Sequence, residues 1–258
     1  MSVQKHDQQA LPVVLVTGAA RRVGAAISRC LSREGYAVVL HANGSMDAAV
    51  ALAAELREQG GQAAAVAADL SVASERDQLI EQAATCFGSI SLLVNNASVF
   101  HSDRLLDFSD TGFLTHMSIN LLAPLCLSRD FAAQVPADSN ASIVNVIDHR
   151  VLKLTPQFFT YTLSKAGLYT ATTTMAQSLA PHIRVNAVGP GPTLPNLHDG
   201  EIGLEREAMG VPLEHTVDPN EIADAVLYLA RTKNITGHMI PVDAGQHIGW
   251  RTPDITGA

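Results

Sequence analysis

The 258-residue sequence predicts an α/β protein: a Rossmann-type, doubly wound parallel sheet between two helical layers, in a single domain. Three observations predict it. Short strand-like runs alternate with helix-like stretches from one end of the chain to the other, which implies right-handed crossovers. Those runs are apolar throughout rather than alternating, as strands covered on both faces require. No repeat, low-complexity tract or linker divides the chain.

Taken in order, Leu11–Val16 is a β-rich run that stops at Thr17-Gly18, and a helix follows from Val23 to Glu34, ending at Gly35. Ala37–His41 is the second strand, and the Ala/Leu/Glu-rich helix Met46–Gln59 closes at Gly60-Gly61. Gln62–Ala68 is a third strand ending at Asp69, then helix Ser74–Phe87 leads to strand Ser91–Val94. Helix Thr111–Leu127, strand Ser142–Ile147, helix Tyr161–Leu179 and strand Ile183–Val188 continue the alternation. Helix Glu221–Ala230 and the run Met239–Val242 complete it. Residues 1–10 read as a flexible N-terminal segment and 11–258 as the domain. The least regular stretch, Pro190–Glu214, holds four prolines. A loop that long inside a compact domain is usually functional, and 194–214 is the expected substrate loop.

Composition excludes several classes. A net charge of −8, with 47% hydrophobic and 16% charged residues, fits a foldable acidic chain rather than a disordered one or a general nucleic-acid binder. No basic stripe interleaved with aromatics supports nucleic-acid binding. No apolar run approaches the ~18 residues of a membrane span, and the polar start MSVQKHDQQA lacks the apolar stretch of a secretory signal. Cys30, Cys86 and Cys126 have neither metal-ligand nor disulfide spacing, so no metal is expected and the expected location is cytoplasmic.

Two places carry chemistry. The junction from Val14 to Gly24 reads strand, glycine turn, helix. Gly18 permits the tight turn, Gly24 allows close helix–strand approach, and the helix start, with Arg21, Arg22 and Val23, offers N–H groups to a pyrophosphate. Any strand–helix turn with two glycines shares part of this pattern. Arg22 stands where the usual dinucleotide motif has its middle glycine. The second strand ends His41-Ala42-Asn43-Gly44-Ser45, with no carboxylate for ribose hydroxyls. A cation beside His41, Asn43 and Ser45 suits a 2′-phosphate, so NADPH/NADP is preferred over NAD; the alternative is a solvated first-turn arginine. The second place is Tyr161-Thr162-Leu163-Ser164-Lys165, which sets a phenol and an ammonium one helical turn apart. A tyrosine near its ordinary pKa of ~10 is a poor neutral-pH catalyst, and an adjacent ammonium is expected to lower it. Alone, such a pair is common on helix surfaces.

The ensemble is more specific. With Gly18 and Gly24, Asp69-Leu70, Asn95-Asn96-Ala97, Asn120, Tyr161/Lys165, Pro190-Gly191, and Ile235-Thr236-Gly237 before Val242-Asp243-Ala244-Gly245, the chain resembles the short-chain dehydrogenase/reductase family over roughly Val13 to Gly245. Ala244 stands where that closing motif usually has glycine. Within the family it is most similar to the pteridine reductases, through Arg21-Arg22, Asn95–Phe100, Leu40-His41 and Asp148. Asp148 lies thirteen residues before Tyr161, where the wider family has its catalytic serine. Gly44 departs from the subgroup, which often carries an arginine nearby.

A carboxylate beside a reacting carbonyl would oppose the oxyanion that hydride delivery creates. A C=N acceptor instead needs a proton on nitrogen, which Asp148 can share or relay with Tyr161; a strand-end Asp capping His149-Arg150 is the plainer alternative. The resemblance implies Tyr161 as general acid with Asp148 assisting, Lys165 on the nicotinamide ribose, and Asn120 holding a proton-path water. It implies Asp69 and Leu70 at the adenine, Asn95, Asn96 and Ala97 along the ribose, and Pro190, Gly191 and Thr193 at the nicotinamide. Ser98 and Phe100 would face a flat, pterin-like small-molecule substrate, with Phe100 stacking on it. Family members are usually homotetramers, which puts helices 111–127 and 161–179 in an interface; the tail around Trp250 would pack at a contact or reach a neighbour's site. Alternative functions are a carbonyl or 3-oxoacyl reductase and, from another class, a catalytically silent NADP-binding sensor.

Overall fold

Runs of valine, leucine and alanine become interior strands because neither face of such a run gains from water. The computed structural model describes residues 11–136, 139–195 and 200–250. The N-terminal segment 1–10, positions 137–138, part of the expected substrate loop at 196–199 and the tail beyond Trp250 lie outside the described residues. Among the described residues the strands are β1 (Val13–Val16), β2 (Ala37–Ala42), β3 (Ala63–Ala67), β4 (Ile90–Asn95), β5 (Ala141–Val146), β6 (Ile183–Pro190) and β7 (Met239–Val242). They form one parallel sheet in the order β3-β2-β1-β4-β5-β6-β7. The direction of winding reverses between β1 and β4, and a crevice opens at the carboxyl ends of strands at such a reversal.

Two cores flank the sheet. On one face α1 (Arg22–Arg33), α2 (Met46–Glu58) and α9 (Pro219–Arg231) bury Ile27, Leu31, Leu56, Ile222 and Leu229 against alternate strand residues such as Val14 and Val16. On the other, α4 (Leu79–Phe87), α6 (Ala123–Gln134) and α7 (Phe159–Leu179) bury Leu79, Leu127 and Phe131 against Val13, Leu15 and Leu93. Each such side chain contributes about 1.5–3 kcal/mol on leaving water, so the strands hold the cofactor-side turns on a rigid base.

Four boundaries differ from expectation, three of them for visible reasons. Helix 221–230 begins earlier, at Pro219, because Asp218 and Glu221 form a capping box and proline suits the first helical turn. The helix expected over 111–127 runs as α5 (Asp110–His116), a π-helical segment (Met117–Leu122) and α6. Pro124 has no N–H, so the carbonyl of Asn120 loses its helical donor; the ladder shifts, and Ala123 N–H donates to Ser118 O. The stretch Pro190–Glu214, read as irregular, contains α8 (Gly200–Gly210). Its four prolines sit before and after that helix, not within it. Finally, helix 74–87 is broken into α3 (Ala73–Arg76) and α4, and no sequence breaker accounts for the break.

Candidate active site

The turn after β1 is built by backbone. Gly18 has φ +61°, and a Cβ there would sit 2.9 Å from Ala97 Cα. A Cβ on Gly24 would sit 2.2 Å from Gly18 O, so α1 approaches the turn more closely than any side chain allows. Asn96 clamps the turn from β4: its Nδ2 donates to Thr17 O (2.8 Å) and Gly18 O (3.0 Å). Thr17 Oγ1 accepts from Asn96 N–H and from Ala97 N–H. No side chain caps the start of α1 and its first turn holds no acid, which leaves a helix N-terminus open to an anion. The cleft beside it measures about 290 Å³ and includes Arg21, Val23, Asn43, Ser45, Ala97 and Ser98.

His41 does not line this cleft. It is buried, with Nδ1 accepting from Gly18 N–H (3.2 Å) and Nε2 facing Ala68 O (3.0 Å), so it braces the turn from behind. Burial holds its imidazole below the usual pKa, in the neutral form this double role needs. Arg22 does not point at the Asn43–Ser45 loop. Its guanidinium donates to Pro195 O (2.8 Å) and Leu194 O (3.3 Å), across the cleft. Its backbone keeps the left-handed φ of +54° that the missing glycine would adopt freely. Arg21 and Arg22, both exposed, line the cleft with Asn43 and Ser45, and among the described residues the Arg21 guanidinium is not tied across it. Asp69, followed by Leu70, hydrogen-bonds Asn43 of the cleft wall. The Asp69 carboxylate accepts from Ser71 N–H (2.9 Å) and Ser71 Oγ (2.6 Å), and those bonds hold it below the ordinary carboxylate range.

At the other end of the crevice, Tyr161 and Lys165 project from α7 toward the end of β5. Tyr161 Oη donates to Asp148 Oδ2 at 2.9 Å. Lys165 is buried, and Nζ donates to Val146 O (2.9 Å), which leaves two of its three donors for other partners. The expectation that Lys165 lowers the Tyr161 pKa is overturned. Burial, and then the Asp148 carboxylate, raise it well above the usual value. Lys165 stands 5.8 Å from the ring, and burial lowers its own pKa to about 8. Tyr161 is thus a firmly protonated donor.

Asn120 lies behind the site. It is fully buried in the π-helical segment, and its side chain is saturated: Nδ2 donates to Val99 O and Ser164 Oγ, while Oδ1 accepts from Val99 N–H and Ser98 Oγ. The side chain therefore positions residues 98–99 against α7, and the carbonyl that Pro124 leaves without a helical donor is the group available for the expected water. Asn95 likewise points inward, donating to Asn145 Oδ1 (2.9 Å).

Phe100 stands at the site with one face already covered. Phe158 stacks on it at 4.3 Å and 18°, and the Tyr161 ring meets it edge-on at 4.7 Å. A flat ligand therefore has at most the other face. Sequence reasoning left Arg150 without a role, yet it is central. Its N–H (2.8 Å) and guanidinium (3.3 Å) donate to Asp148, and its guanidinium lies 5.0 Å from the Phe158 ring and 5.6 Å from Phe100. Nη2 is 3.8 Å from Glu207 of α8. Position two after Asp148, at a strand end, was the available signal; Phe158 and Glu207 carried none. A cavity of about 250 Å³ brings together Arg22, Ser98, Phe100, Asp148, Tyr161 and Lys165. Pro190, Gly191, Thr193, Arg150 and Glu207 complete its wall. Among the described residues no cluster of His, Cys, Asp or Glu could hold a metal ion, and no helix is long and apolar enough to cross a membrane.

A protein-family model described as enoyl-(acyl carrier protein) reductase matches residues 18–247. The structure of FolM alternative dihydrofolate reductase 1 from Brucella canis, complexed with NADP, is similar at a TM-score of 0.92 and 43% identity, covering 95% of this chain and 98% of that one. An uncharacterized oxidoreductase of Methylorubrum extorquens is 33% identical over 90% of this chain and 96% of its own length. The 3-oxoacyl-[acyl-carrier-protein] reductase FabG of Staphylococcus epidermidis is 29% identical over 91% and 98%.

Proposed function

The chain belongs to the short-chain dehydrogenase/reductase family, and from that premise we propose that it is an NADPH-dependent reductase of a dihydropterin-type C=N bond. The observation that carries this reading is the Asp148 carboxylate, 2.9 Å from the Tyr161 phenol and held by Arg150. A carboxylate at that point disfavours a growing oxyanion but suits a nitrogen heterocycle, whose ring N–H and amino groups donate to it. The similarity to a dihydrofolate reductase structure with NADP supports the same choice.

The turn residues fit a dinucleotide. Gly18, Gly24 and the uncapped start of α1 leave backbone room and N–H donors for a pyrophosphate, with Arg21 near Asn43 and Ser45 for a 2′-phosphate. Bound NADPH supplies a hydride. The two spare Lys165 donors suit ribose hydroxyls, and Gly191, whose N–H donates to Val242 O, keeps the chain beside Thr193 close to the nicotinamide position. Phe100, backed by Phe158, supplies an aromatic wall of the cavity for the flat ring. As the ring carbon gains the hydride, the ring nitrogen becomes basic and takes the proton from Tyr161 Oη; Asp148 releases that O–H and orients it. A phenol whose pKa is raised does not lose its proton before the substrate arrives. Exposed Leu163 and Tyr169 on α7 and Leu122 on the π segment support a homotetramer built through these helices, which light scattering in solution tests.

The decisive assay follows NADPH oxidation with a panel of dihydropterins, including dihydrofolate, against a 3-oxoacyl thioester. Asp148→Ser is expected to cost pterin turnover about 10²-fold or more and thioester turnover much less; equal losses overturn the imine reading. A second reading, 3-oxoacyl reduction, is favoured by the similarity to FabG, and preferential turnover of the thioester by the wild type would select it. Tight NADPH binding without turnover of either would select the silent sensor.

A further inference from the structure

We propose that Asp103, Thr160 and His116 form a positioning chain that locks the Phe100 loop to the Tyr161 helix and so sets ring platform and proton donor in one geometry. It rests on the roles given above to Phe100 and Tyr161. All three members lie one to three residues from one of those two in sequence, or against Tyr161 in space.

The bonds run in one direction. Asp103 Oδ1 accepts from Thr160 N–H (3.0 Å), Asp103 Oδ2 accepts from Thr160 Oγ1, and Asp103 O accepts from Phe159 N–H (3.3 Å). The carboxylate thus ties down the first turn of α7. Thr160 Oγ1 is 2.7 Å from His116 Nδ1, and His116 Nε2 accepts from His101 N–H at 3.2 Å. Because Nε2 accepts, the ring proton sits on Nδ1 and is donated to Thr160, whose own proton goes to Asp103. Every proton in the chain has one place, and only neutral His116 fits it. Thr160 and His116 are fully buried, so no water substitutes for a lost partner. The His116 ring meets the Tyr161 ring edge-on at 5.9 Å.

Protonated His116 would aim an N–H at the His101 N–H, donor against donor, and the link to the Phe100 loop would open. The groups facing His116 are Asp103 and His101 from the loop, and Thr160 and Tyr161 from α7. Asp103 favours the charged ring and His101 opposes it; burial outweighs both and holds the pKa below 6.5. At neutral pH the chain is intact, and it opens on acidification.

Thr160→Val keeps the shape and removes the hydroxyl. We expect kcat to fall on the order of 10-fold to 100-fold, as a small misplacement of reacting groups does, with NADPH affinity unchanged. Asp103→Asn, on a partly exposed residue, is expected to repeat the loss where a buried change fails to fold. His116→Gln supplies an acceptor and a donor without titrating. It is expected to restore most of the activity that His116→Leu loses, and to flatten the acid limb of kcat/KM expected of the wild type below pH 6.5. Unchanged kcat in both Thr160→Val and Asp103→Asn, or an acid limb that persists in His116→Gln, overturns the proposal. The comparison is made on whichever substrate the wild type reduces, so a wild type silent on pterins overturns the function and leaves this test standing. Amide exchange over residues 100–103 reads the same link without turnover: it is expected to quicken in Thr160→Val, and no change counts against the chain.

Discussion

The phosphate turn and the aromatic site are the two ends of one crevice, and they are made of different material. At the turn, shape comes from backbone: two glycines that no other residue replaces, clamped by Thr17, Asn96 and the back of His41. At the aromatic end, shape comes from side chains of four separated segments, Phe100, Asp148 with Arg150, Phe158 with Tyr161, and Glu207. A backbone site tolerates almost nothing locally, yet it is readable from a few adjacent letters. A side-chain site is assembled by the fold, so its members are distant in sequence and adjustable one at a time.

That contrast can be broken in measurable ways. The largest expected effect is at the aromatic end: Tyr161→Phe should lower reductive kcat by about 10²–10⁴-fold while NADPH titrations stay nearly unchanged. Gly24→Val should do the reverse, since its Cβ meets backbone oxygen at 2.2 Å. Overpacking of that kind costs about 1–3 kcal/mol or more, and the readout is lost NADPH affinity and a lower Tm. A smaller effect comes from pH. Lys165 carries its charge below about 8 and loses it as pH rises through that value, so NADPH affinity should weaken above it, and Lys165→Met should erase the dependence. The smallest sharpens the backbone side: Ala244 holds a left-handed φ of +51°. Ala244→Gly should raise Tm by about 1–3 °C through relieved strain, and a lower Tm would mean that the alanine methyl packs better than its backbone strains.

The same division explains what could be read in advance. Uniformly apolar runs marked every strand, and the Gly18–Gly24 turn and the Tyr161/Lys165 spacing marked both ends of the crevice. Asp148 was recognisable because the family resemblance puts a serine thirteen residues before the tyrosine, and an acid stands there instead. Other features were hidden because they depend on where neighbours fall in space. His41 reads as a cofactor-facing residue until the fold puts its ring beneath the turn, between Gly18 N–H and Ala68 O. The direction of the Arg22 side chain depends on the carbonyls of Leu194 and Pro195, more than 170 positions away. The Tyr161 pKa depends on burial and on Asp148 more than on the lysine one turn along. Helix α8 was masked by the prolines around it.

The π-helical segment has one more consequence. An α-helix turns about 100° per residue, so one extra residue would swing everything downstream away from its partner unless a wider π turn absorbed it, as the segment does here. Upstream of it His116 meets α7; downstream Leu127 and Phe131 meet the sheet. Deleting a single residue between Met117 and Leu122, away from Asn120, would let the stretch close into a regular α-helix with those two side chains still on the core, whereas inserting one would turn them away from it.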